Sequence, residues 1–196
     1  MKKTVSFTSF ILILWLLTCP FNSSAQNYEK KTDKKVSASS IALSKQYSNS
    51  YFSIHYPSSW QVVQDENQAT AKTTIAVQIM QKRTNDVDFC PNVNIIISGR
   101  KWSESTATLA SQTAINNKKV VHSFKKVRIS DTKISGYRGS LLEYTCPIDG
   151  YNLRGRQYIV KKPDNTTFII TATTDNKKDT EQVKVVKSIL NSIVIK

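Results

Sequence analysis

Apolar side chains recur at every second position in three separate stretches of this 196-residue chain. Phe52, Ile54 and Tyr56 fall on one side of an extended segment, as do Ile75, Val77 and Ile79, and again Val93, Ile95 and Ile97. A period of two belongs to strands with one face on a core. The chain closes on a different period. Val183, Val186, Ile189, Leu190 and Ile193 form the i, i+3, i+7 stripe of a helix over residues 179–193, with Asp179 or Thr180 as its cap. A sheet with one greasy face and a helix with one greasy stripe must cover each other. The expected class is α+β, an antiparallel β-sheet flanked by helices.

Between these elements the punctuation is clear. Pro57 stops the first strand, and Ser58-Ser59-Trp60 turns the chain into a short second one over 60–64. Trp60 is expected to plug the end of the core. Ser103-Glu104-Ser105 is capping chemistry, followed by Ala107, Leu109, Ala110 and Ala114 at helical spacing, which predicts a helix over 103–115. Residues 120–129 read as one or two strands. A turn at Ile134-Ser135-Gly136-Tyr137 leads into a long strand, 138–146. Asp149-Gly150 is a hairpin dipeptide that tolerates positive φ, and the return strand is 151–161. Pro163-Asp164-Asn165 reverses the chain into 167–173, completing a three-strand meander.

The first residues describe a destination. Lys2 and Lys3 precede an apolar run over 10–17 and a small-residue exit at Ser23, Ser24 and Ala25, the three parts of a secretory signal. The run is shorter than the roughly 20 residues a membrane-spanning helix needs. Residues 1–25 are read as a signal peptide cleaved near Ala25, 26–49 as a polar flexible arm, and 50–196 as the domain. Lipid attachment at Cys19 is the competing reading. Only Lys2 and Lys3 among the charged residues leave with the leader, so the mature chain keeps all but two of the +14 charges. It also keeps Cys90 and Cys146, and an even pair in an exported protein favours a disulfide. The alternative is two separately buried thiols.

Catalytic constellations are hard to find. The sequence has no G-x-S-x-G, H-E-x-x-H or phosphate-cradling glycine loop, and only two histidines, His55 and His122, in different strands. Glu143 is a lone acid in a long strand, opposite in face to Leu142 and Tyr144. Asp86-Val87-Asp88 has the spacing to hold Ca²⁺ loosely, against a plainer reading as a solvated loop. No cofactor, metal site or nucleic acid is expected, and a hydrolase with an unrecognised site is the alternative class. The basic balance is the strong compositional signal. Lys118-Lys119, Lys125-Lys126 and Lys177-Lys178 are spread through the domain, and Arg154 and Arg156 share a strand side with Tyr158. With Lys161 and Lys162 these arginines are the candidate anion-binding surface, suited to a protein or an anionic envelope component.

Three pieces in order carry a family resemblance: Phe52-x-Ile54-x-Tyr56-Pro57-x-x-Trp60, then Pro91-Asn92-Val93-Asn94-Ile95 before the first helix, then Ser188-Ile189-Leu190-x-Ser192 in the closing helix. Over about residues 50–194 the chain resembles the PsbP-like superfamily of PsbP, MOG-type and DcrB-like exported proteins. The resemblance implies an α/β/α sandwich and a non-catalytic accessory or binding role. It supplies no shared active-site residues.

Overall fold

The computed structural model describes residues 41–63, 73–83, 89–98, 101–148 and 150–196. The leader, Cys19, Asp86, Asp88 and Asp149 lie outside the described residues. Among the described residues ten strands and two helices follow one another. They are β1 Lys45–Ser48, β2 Phe52–Tyr56, β3 Trp60–Val63, β4 Thr73–Gln81, β5 Asn92–Ser98, α1 Thr106–Val120, β6 Lys125–Ile134, β7 Tyr137–Ile148, β8 Tyr151–Lys161, β9 Thr167–Asp175, α2 Asp179–Asn191 and β10 Val194–Ile195. Seven strands form one antiparallel sheet in the order β3-β4-β5-β9-β8-β7-β6, and β1-β2-β10 form a small second sheet.

Alternation sorts the large sheet into two faces. Val77, Ile79, Val93, Ile95, Ile97, Tyr158, Val160, Phe168, Ile170 and Ala172 lie on one, where they meet Val186, Ile189, Leu190 and Ile193 of the closing segment and Phe52, Ile54 and Tyr56 of β2. Trp60 is buried in the same cluster. The other face carries Leu142, Tyr144, Cys146 and Ile159, covered by Leu109, Ala110 and Ala114 of α1. One helix therefore packs on each face, and the fold is α+β. From Gln157 of β8 toward β4 that second face mixes buried polar side chains, Asn92, Asn94, Gln157, Thr171 and Thr173, with Ile96 and Met80. Helix α1 lies over β6, β7 and β8.

Three boundaries differ from the sequence reading. The arm expected over 26–49 gives up its last residues, because β1 pairs along β2 and Leu43 and Tyr47 pack on the core. The first helix runs on to Val120, where a strand was expected. Its last turn buries Asn117 and sets Lys118 and Lys119 at the negative end of the helix dipole. The meander then has four strands, since β6 pairs with β7 from Tyr137 to Thr145. Ser105 caps α1 as expected, its hydroxyl accepting from the Thr108 amide at 3.1 Å. Asp179 does not cap α2. The N-cap position is Lys178, with no side-chain cap bond, because the Asp179 carboxylate is directed at the sheet.

Candidate functional site

Charged groups on the α2 side of the sheet converge on Arg156. This residue is only 7% exposed, at the centre of β8. Its Nη1 and Nη2 donate to Asp179 Oδ1 and Oδ2 at 2.8 and 2.7 Å, a two-pronged pair joining sheet to helix. Thr174 Oγ1 donates to Asp179 Oδ1 at 2.6 Å. On its other side Arg156 Nε lies 3.6 Å from Glu143 Oε1. Glu143 is 3% exposed and is also reached by Arg154 Nη2 at 3.4 Å and by Arg128 Nε. The two carboxylates thus sit among three guanidiniums. Burial alone would raise the Asp179 pKa, but hydrogen bonds from Arg156 and Thr174 and the arginine charges outweigh it, so the carboxyl titrates below its ordinary value.

Chemically this is a clasp. An acid–base pair needs one carboxyl that keeps its proton near neutral pH, and Asp179 is held ionised. Glu143 and Asp179 line neither the cleft beside Trp60 nor the one between α1 and β6.

The four residues expected to form an anion-binding surface do not make one patch. Arg156 is buried against Asp179, and Arg154 leans to Glu143. Lys161 lies on the opposite sheet face, where its Nζ donates to the Trp102 and Glu104 carbonyls at 2.6 and 3.1 Å and ties down the entry to α1. Lys162 Nζ donates to the Lys196 carbonyl at 2.8 Å.

The expected Cys90–Cys146 disulfide is absent. Cys146 lies opposite Leu153, Leu153 opposite Asp175, and Asn92 opposite Thr173, so Cys90 enters the sheet level with Cys146 but three strands away. Three spacings of roughly 4.8 Å far exceed the Cα separation of about 7 Å that a disulfide allows. Both side chains are buried, and burial pushes the Cys146 thiol pKa up, away from thiolate chemistry.

Two clefts remain. One, of about 280 Å³, is lined by Trp60, Gln81, Phe89 and Pro91 against Glu181 and Val185 of α2. The other, of about 600 Å³, lies between α1 and the start of β6, with Ala114, Ile115 and Phe124 at its floor and Lys118, Lys125 and Lys126 around it. All three lysines are exposed. The sequence showed these lysine pairs but not that they share a groove, because residues 120–129 were read as strand. The Glu143–Arg156 pairing was open to counting. The hairpin expected after Ile148 implies this register, and in the structure Ile148 lies opposite Tyr151 and Glu143 opposite Arg156.

No family model and no curated protein matches the chain. Solved structures do. The chain is similar to LpqN of Mycobacterium tuberculosis, described as involved in cell envelope biogenesis, at 15% identity and a TM-score of 0.56, over 77% of this chain and 90% of that one. It is similar to the cyanobacterial PsbP of Synechocystis sp. PCC 6803 at 11% identity and a TM-score of 0.56, over 83% and 98%. The Ran-binding protein Mog1p of Saccharomyces cerevisiae aligns at 7% identity and a TM-score of 0.50, over 77% and 94%. Identities this low speak to architecture alone, and on that ground the chain has the PsbP-like fold.

Proposed function

We propose that this chain is an exported, non-catalytic PsbP-like domain that binds an acidic partner at a membrane or envelope surface. The observation that carries the reading is the sorting of charge. Glu143 and Asp179 are drawn inward among arginines, whereas Lys118, Lys119, Lys125 and Lys126 stand exposed on one side of the fold. A surface left cationic in this way attracts anionic partners and speeds their encounter. Support comes from the signal-like leader and from the shared fold with an envelope-biogenesis protein and a Ran-binding protein. Among the described residues no helix is long and apolar enough to cross a membrane. The reading has the chain cleaved near Ala25 and working as a soluble domain.

The test is retention of the chain from Gln26 onward by an envelope fraction of the source organism. Binding at physiological salt that is released as salt rises is the expected outcome. No retention at low or physiological salt would overturn the reading.

A further inference from the structure

The groove between α1 and β6 joins an apolar floor to a cationic rim. Its floor is apolar, with Ala114 and Phe124 buried and Ile115 58% exposed. Three exposed lysines edge it and no acid lines it. The α1 sequence contains no acidic residue at all, so every charge on the groove wall is positive. Val120 and Val127, two of the exposed large hydrophobics, flank the same region.

The neighbouring strand adds a second observation. β6 is the edge of the seven-stranded sheet, and its register slips between Lys126 and Arg128, leaving Val127 without a partner opposite. Edge strands invite pairing with other chains, and lysines and bulges are the usual deterrents. A deterrent made of positive charge repels a second copy of this basic chain and admits an acidic one.

Resting on the binding role given above, we propose that this groove seats an acidic amphipathic segment of a partner protein. One or more of its apolar side chains fill the space over Phe124, and its carboxylates meet Lys118, Lys125 and Lys126. Concavity decides for a peptide over a lipid surface. A bilayer lies flat and leaves a recess of about 600 Å³ unfilled, whereas a protruding side chain enters it.

Fluorescence anisotropy on the chain from Gln26 onward tests this directly. One probe is a labelled synthetic peptide alternating glutamate with leucine and phenylalanine, and a second carries lysine in place of glutamate. Phosphatidylglycerol vesicles form a third arm. The acidic peptide is expected to bind with salt-sensitive affinity and the basic one not to bind. The triple variant Lys118→Glu, Lys125→Glu, Lys126→Glu should weaken acidic-peptide binding by at least about tenfold. Ile115→Ser, at an exposed position that folding does not need, should weaken it severalfold without changing the thermal midpoint. Equal peptide affinity in the wild type and both variants overturns the groove assignment. So does vesicle binding through the same lysines with no peptide binding. Envelope retention that survives the triple variant would sink the groove and leave the broader binding role standing.

Discussion

Arg156 stands between two carboxylates on the face of the sheet that α2 covers, and its surroundings give it two consequences. Arg156→Ala would leave Glu143 and Asp179 buried without their shared cation. Removing one partner of such a pair costs about 3–5 kcal/mol. A urea unfolding midpoint lowered to match is the expected outcome, and a loss within error of zero would contradict the clasp. The second consequence is an acid limb. Asp179 has its folded pKa below the unfolded value, so its contribution is complete above about pH 4. That contribution fades as pH falls through the lower folded value. Asp179→Asn should therefore lower stability at neutral pH and flatten its decline between about pH 5 and pH 2, followed by urea midpoints at each pH. At this scale the sequence was half legible. The positions of Glu143 and Arg156 followed from alternation and from one hairpin turn, whereas Asp179 looked like a helix cap because its chain neighbours suit a cap. Its main partner, Arg156, comes from a strand 23 residues away, and no local rule reaches it; Thr174, five residues back at the end of β9, only adds to that pair.

Strand β8 shows how an element constrains its neighbour. Gly155 lies directly opposite Tyr144, and a Cβ at position 155 would fall within the Tyr144 ring. The ring covers the glycine backbone, and burial pushes its hydroxyl well above the ordinary phenol pKa, with Cys146 adding to the effect. Gly155→Ala should therefore cost about 2 kcal/mol by overpacking, together with a changed near-ultraviolet circular dichroism from the displaced ring. A silent substitution there would contradict the packing. Element order also governs the thiols. Because β9 and β8 intervene between Cys90 and β7, thiol labelling without reductant should modify neither cysteine in the native protein and both after unfolding. Resistance to labelling after unfolding, reversed by reductant, would show a disulfide and contradict the register. Alternation and turn residues made seven of the strands readable, and the helical period made both helices so. These signals could not place Cys146 relative to Cys90, because sheet order depends on which distant strands meet.

Across the whole molecule, charge and shape are arranged oppositely on the two faces of the sheet. On the α2 side the buried Arg156–Asp179 pair is neutralised and covered, and helix and small sheet pack over the core. On the α1 side lysines surround an open apolar groove beside a bulged edge strand. Composition gave the sign of this surface, and only the fold reveals where it is concentrated. Lysine acetylation rates, measured by mass spectrometry for the chain from Gln26 onward with and without the envelope fraction, probe that concentration directly. Binding should slow the reaction at Lys118, Lys125 and Lys126 and leave Lys184 and Lys187 of α2 at their unbound rates. Protection centred on the α2 lysines, or rates unchanged at every site while the protein is retained, would contradict the placement of the binding surface on the α1 side.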